Sequence, residues 1–425
     1  MFRCITVALV CVAAWGMVLA ASAEPNAPGR ARAITLEQAV ARALDAAPSL
    51  KSRQELVSAA EANVRQSGVL ANPTIDVELE NFAGSDRFED FEQSELTLGV
   101  RQRIERGGKV AGRLAVADAE HQAAALESRR TRANVAFDAR KAFIEMFAAT
   151  AELDNAAARL KAASQIEAMA ARRVRSARDP VTVRLRAEIQ TAEARTARDQ
   201  ASHDLHNAKR TLALIWGTSD EAFEIDAASL WAIPAEMTKR ADISSADVRA
   251  REIAASRAAA RLELEQANAR SDLSVGVGVR RFEDGGDLAG VLSVSVPLAI
   301  FDDNQGNIDR AAAESRAAAL DVADAKQRHA IELVGLEEEA ARARGALDTL
   351  RGELLPRAKS ALAAARHGFD AGAFGYQEIA EAQRILNELN AREIAALRQL
   401  HLAHANLDRL AGRTGEPSQE QGTQP

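Results

Sequence analysis

Long-range self-similarity is the strongest constraint on this chain. NPTIDV (72–77) aligns with DLSVGV (272–277), and LTLGVRQRI (96–104) aligns with LSVSVPLAI (292–300). RVRSARDPVTVRLRAE (173–188) aligns with GFDAGAFGYQEIAEAQ (368–383), and a glycine near 217 has its partner near 412. The offset stays between about 195 and 200 residues, which marks one large unit duplicated rather than a short solenoid period. Each unit pairs two short alternating segments with a very long helical pattern. The expected layout is a first repeat over 35–217, a connector over 218–243 and a second repeat over 244–412. A Pro/Gly/Arg linker (24–34) precedes them, and a polar, disordered tail (413–425) follows.

Composition favours thin helical packing over a thick globular core. Aromatic residues are 4% of the chain, Tyr376 is the single tyrosine, and 27% of residues are charged. A formal charge of −7 gives no basic face for nucleic acid. Residues 1–23 read as a secretory signal, with Arg3 in the n-region, an apolar run from Ile5 to Leu19, and Ala21-Ser22-Ala23 before Glu24. Cys4 and Cys11 both fall inside it, so the mature chain is expected to lack thiols, and no cysteine at the cleavage point calls for a lipid anchor. No other segment is apolar and long enough for a transmembrane helix. Entry into a membrane would therefore be by strands.

The strand patterns have a two-residue period. Ile75, Val77 and Leu79 alternate with Asp76, Glu78 and Glu80; Leu96 and Leu98 continue one face in the next segment. In the second unit Val275 and Val277, then Val294 and Val296, occupy the equivalent positions. The apolar set is expected to face lipid and the acids to line a lumen, biasing passage towards cations or keeping a pore wet. A small soluble sheet with one buried face fits the same alternation. Phe82 and Phe282 end the outgoing strands where an aromatic girdle would lie. Four strands cannot close a membrane barrel, and an open edge in lipid leaves backbone groups unsatisfied, so copies of the chain must pool their strands.

Thr35 and Gln38 form a capping-box pattern for a first short helix. From Gly107 to about Arg175 there is no proline, enough for a helix about 100 Å long. Gly107 and Gly108 read as a strand-to-helix hinge, and Asp302, Asp303, Asn304 and Gly306 as its equivalent. Leu126, Phe137, Phe143, Phe147, Leu153, Leu160 and Ile166 mark the buried stripe. Pro356 should kink or soften the second long helix. Asp179-Pro180 and Gly372 with Gly375 turn the two helices back.

In this order, LANPTIDVELENFAG (70–84), ELTLGVRQRIERGGK (95–109), the VGVGVRRFEDGG run (275–286), PLAIFDDNQGNIDRA (297–311) and FDAGAFGYQEIAEAQRIL (369–386) resemble the TolC family of outer-membrane factors. Within it the chain is most similar to the heavy-metal, Czc-type cobalt–zinc–cadmium branch. The resemblance implies a homotrimer in outer-membrane lipid, with a twelve-stranded β-barrel continued by an α-helical barrel across the periplasm. It also implies docking to a periplasmic adaptor and an inner-membrane pump of the resistance–nodulation–division type, with metal cations transported. Asp370, Glu378 and Glu381 would then form carboxylate rings at the narrow periplasmic tip, or else a solvated acidic helix start. Phe374 stands where the family usually carries a basic residue. Arg178 and Arg184, on the first tip, would pair with a neighbour's acidic tip or be solvated.

Two His-x-x-His pairs, His203/His206 and His401/His404, occupy equivalent places in the return helices. Three-residue spacing suits one metal, but no third ligand or cysteine accompanies either pair, so surface histidines are the expected reading. No cofactor site and no nucleophile–base arrangement is legible, so no enzyme activity is expected. The favoured role is a passive exit duct for divalent metal cations. A drug-efflux or type I protein-secretion duct shares its fold, and a soluble periplasmic coiled-coil scaffold is the rival of another class.

Overall fold

The computed structural model describes residues 33–233 and 245–411. The signal and tail, most of the linker, Pro234 and the glycine near 412 lie outside the described residues. The element order is α1 (Leu36–Ala46), α2 (Pro48–Ser67), β1 (Thr74–Glu80), β2 (Glu95–Ile104), α3 (Lys109–Arg175) and α4 (Val181–Ile215). Then follow α5 (Ala246–Asn268), β3 (Leu273–Phe282), β4 (Leu288–Ser295), α6 (Gln305–Thr349), α7 (Leu355–Asp370) and α8 (Tyr376–Leu410). Helix, two strands, long helix and return helix thus occur twice.

Helix α1 begins with the expected capping box: the Thr35 side chain accepts from the Gln38 N–H, and the Gln38 side chain accepts from the Thr35 N–H. Helix α3 runs 67 residues without interruption, about 100 Å at 1.5 Å per residue. It packs along α4 and also against α8, α5 and α2. Leu126, Phe143, Phe147 and Ile166 are buried, whereas Phe137, Leu153 and Leu160 are half-buried. Alanines supply most of the remaining buried positions, so neighbouring backbones approach closely. The second long helix breaks where Pro356 requires it. A single π-helical turn, Leu350–Leu354, separates α6 from α7 and puts Pro356 near the N-terminus of α7, where its missing N–H costs little.

The two larger apolar clusters among the described residues hold the helices. One lies midway along them and joins Phe143, Phe147, Leu212, Leu347, Leu397 and Leu400 to Ile34, Trp216 and Leu230. The connector is tied down there. Ile34 bridges Ile225 in parallel, Trp231 packs edge-on against Phe147 at 5.2 Å, and the Trp216 indole donates to the Ala39 carbonyl at 2.9 Å. The second cluster, near the α3–α4 and α7–α8 turns, contains Ile166, Leu362, Phe369, Tyr376 and Ile379.

The strands form one antiparallel sheet in the order β1-β2-β3-β4. Val77 opposes Leu98, Val100 opposes Val277, and Val275 opposes Val294. One register therefore collects the apolar positions on a single face. Val296 lies one residue beyond β4. The register corrects the girdle expectation for Phe282, which pairs with Glu95 and therefore shares the face of the acids, while Phe82 lies past the end of β1. The two outer strands, β1 and β4, have no partner on their free edges among the described residues.

Candidate functional site: sheet, junction and helical tips

The apolar sheet face is uncovered. Ile75 is 74% exposed, Val77 65% and Leu292 72%, and Leu79, Leu96, Leu98, Val277 and Val294 are exposed with them. Val275 is half-buried. Such an expanse of large side chains is a surface made for lipid or for another protein. On the opposite face the acids are largely neutralised. Arg101 pairs with Asp76 at 3.3 Å. Arg280 reaches Glu80 at 2.8 Å and Glu95 at 2.7 Å, and its Nε donates to Thr97 Oγ1 at 2.9 Å. Glu78 makes no ion pair with a described residue, so the net negative potential of this face falls mainly to it. Arg101 and Arg280 have the parity of the polar positions in their own strands. Their partners needed the inter-strand register, which the sequence leaves open.

At the junction below the sheet, Gly107 and Gly108 have φ of +77° and +84°. A Cβ on Gly107 would also lie 2.7 Å from the Arg270 side chain, so glycine is required there for space as well as backbone. Lys109 and the Arg106 N–H hold Asp272 at 2.7 and 3.3 Å. Burial pushes the Asp272 carboxyl up, but the bonds from Lys109 and Arg106 outweigh it and hold the group below its ordinary range. In the second unit the left-handed residue is Asn304, with φ +64°, and its amide donates to the Glu265 carbonyl and carboxylate at 2.8 and 2.9 Å. Gly306 does not make this turn: it lies inside the first turn of α6 without a positive φ, so the hinge shifts to Asn304.

Both helical tips end in the same main-chain motif. At the first, the Arg178 N–H donates to the Arg173 carbonyl and the Ala177 N–H to Val174; at the second, Ala373 donates to Gly368 and Gly372 to Phe369. Ala177 and Gly372 take the left-handed position, with φ +56° and +79°. Arg173 was not singled out by sequence, yet it clasps the first tip. It bonds both Asp179 oxygens at 2.7 and 3.2 Å, donates to the Phe369 carbonyl at 2.9 Å and lies over the Phe369 ring. Its spacing from Asp179 across the turn was the available signal. The Phe374 ring lies directly on Gly368.

Of the tip residues expected to act together, Asp370 is the last residue of α7, and Glu378 and Glu381 lie in the first turns of α8. All three are exposed. Glu381 is bound at both oxygens by Arg384, at 2.7 and 2.8 Å, and those bonds lower its pKa. Asp370 and Glu378 pair with no described cation. Arg184 pairs with Glu188 on its own helix at 3.6 Å, and Arg178 projects into solvent.

The histidine pairs do not form a metal site among the described residues. His206 contacts Glu221 at 3.1 Å, and His401 hydrogen-bonds the Leu230 carbonyl at 2.8 Å. Burial lowers the pKa of both His401 and His404, favouring neutral rings, and of the two His401 anchors the connector. That anchoring role was not visible from the three-residue spacing.

Residues 39–218 and 238–413 match the family described as outer membrane efflux protein. The cobalt–zinc–cadmium resistance protein CzcC of Cupriavidus metallidurans is 26% identical over 89% of this chain and 90% of its own. The nickel–cobalt–cadmium resistance protein NccC of Alcaligenes xylosoxydans xylosoxydans is 27% identical over 80% of this chain and 73% of its own. Among solved structures, the outer membrane protein VceC of Vibrio cholerae superposes with a TM-score of 0.72 at 20% identity, covering 89% of this chain and 96% of its own. CusC superposes with a TM-score of 0.69 at 17% identity, covering 92% and 96%. The fold is TolC-like, mostly helical with a small strand part, and it serves as a transport duct rather than an enzyme. The chain belongs to the outer membrane efflux protein family, whose channels lie in the outer membrane and extend into the periplasm.

Proposed function

We propose that three copies of this chain close into a homotrimeric exit duct for divalent metal cations. The observation that carries the duct is the four-stranded sheet with two free edges and an uncovered apolar face, followed directly by α3. An open sheet of this kind is unstable in lipid, whereas three copies supply the twelve strands of a closed barrel. Ile75, Val77, Leu79, Leu96, Leu98, Val275, Val277 and Val294, continued by Val296, then meet outer-membrane lipid. Asp76, Glu78 and Glu80 line the lumen, where Arg101 and Arg280 moderate their field. The long helices continue the wall as a periplasmic tunnel ending at Asp370, Glu378 and Glu381, with Arg178 and Arg184 on the alternate tips.

Support for metal as cargo comes from the relatives named for cobalt, zinc, cadmium and nickel resistance. A periplasmic adaptor and an inner-membrane resistance–nodulation–division pump complete the proposed path and supply its energy. Residues 1–23 act as the export signal in this reading, without lipidation. Deleting the gene in a strain that carries the pump and adaptor should raise accumulation of zinc, cobalt, cadmium or nickel, and complementation should reverse it. Expression without pump and adaptor should give no resistance. Unchanged metal accumulation beside altered drug sensitivity would reject the metal reading and leave the duct standing.

A further inference from the structure

The two free sheet edges each continue into an uncovered apolar strip at the junction. Before β1, Val69 and Leu70 are exposed; after β4, Leu298 and Ile300 are exposed and Phe301 is 100% exposed. The strips leave the same end of the sheet, because the register Thr74–Arg101, Arg101–Gly276 and Gly276–Ser293 puts the start of β1 and the end of β4 on one side of it. They flank opposite edges of the same protomer and so cannot cover each other within it.

We propose that residues 298–301 of one copy dock on Val69 and Leu70 of the next, forming an apolar collar that seals the wall where barrel becomes tunnel. This rests on the ring reading above. If β4 of one copy pairs antiparallel with β1 of its neighbour, the chain leaving β4 is laid beside the chain entering β1. A receptacle is present there: an open groove of about 410 Å³ is lined by Val69, Leu70, Arg103, Glu105 and Arg113 among others. Glu105 grips Arg113 at 2.7 and 2.9 Å, so the groove floor is self-neutralised and firm. Charge agrees as well, since Asp302 and Asp303 directly follow Phe301, and the half-exposed Arg103 stands at the receiving groove. A groove carrying those charges suits a protein segment better than acyl chains.

The absence of cysteine outside residues 1–23 makes the test direct. Leu70→Cys/Phe301→Cys and, at the sheet edges, Thr74→Cys/Ser295→Cys are expressed as full chains and treated in membranes with a short bis-maleimide. Both pairs should shift the denatured protein to covalently joined two- and three-chain bands, whereas each single variant stays at one chain. Joined edges with an unjoined collar pair would overturn the collar and leave the ring intact. Failure of both pairs would overturn the ring and the collar together. A fluorophore on Phe301→Cys strongly quenched by brominated acyl chains would show that lipid covers the strip instead, again overturning the collar.

Discussion

At the first helical tip Arg173 reaches across the turn to Asp179; at the aligned positions of the second tip stand Gly368 and Phe374, and a ring lies on bare backbone. The carbonyl-capping hydrogen bonds correspond, as do the left-handed residues Ala177 and Gly372, and the second tip adds a bond from the Phe374 N–H to the Gly368 carbonyl. The outward charges are opposed, however: Arg175 aligns with Asp370 and Arg186 with Glu381. Carbonyl capping fixes the shape of both turns. The side chains were therefore free to diverge, one tip closing by a charged fork and the other by an aromatic ring.

That comparison breaks most visibly at Arg173. Arg173→Ala should cost about 2 kcal/mol locally, because it removes charge-assisted bonds to Asp179, whose side chain is mostly covered. Hydrogen exchange should accelerate at residues 173–181 and, through the lost bond to the Phe369 carbonyl, in the second tip. Arg173→Lys should recover only part, since an ammonium lacks the fork. Gly368→Ala should cost about 1–2 kcal/mol by displacing the Phe374 ring, and Phe374→Ala should relieve most of that penalty in the double variant. An additive double variant would mean that the ring contact does not hold the second tip.

Backbone exchanges should be smaller and opposite in sign. Gly372→Ala should destabilise by about 1 kcal/mol, and Ala177→Gly should stabilise by up to about 1 kcal/mol, because only glycine takes positive φ without a Cβ penalty. Protection of the two turns reports both. Acid acts away from the tips. His401 and His404 have lowered folded pKa values, so their contribution is present above the unfolded value near 6.5 and is lost as pH falls through the folded values. Exchange around Leu230 should therefore rise on acidification, and less so in His401→Gln. The finest distinction is electrical. In planar bilayers Glu378→Gln should reduce cation preference more than Glu381→Gln, whose charge Arg384 already offsets.

Much of this architecture was legible in the sequence because it depends on period and punctuation. Alternation located the four strands, the absence of proline gave α3 its length, and Pro356 marked the break in the second long helix. The individual contacts were less accessible. Phe282 stands on the acids' face because it lies an odd number of residues from Val275, Val277 and Val279, a parity that its place at the strand end does not alter. Of the four residues expected at the second hinge, Asn304 rather than Gly306 makes the turn, because an asparagine can adopt the left-handed conformation that glycine usually supplies. Arg173 passed unnoticed although Asp179 stands in its own turn, because its second partner, the Phe369 carbonyl, arrives only when the two hairpins pack side by side.

The mass of the protein extracted from outer membranes tests the central claim most directly. Native mass spectrometry in a mild detergent should give three chains per particle, because four strands with two free edges close only when copies share them. A homogeneous one-chain particle, equally abundant without detergent, would contradict the shared barrel.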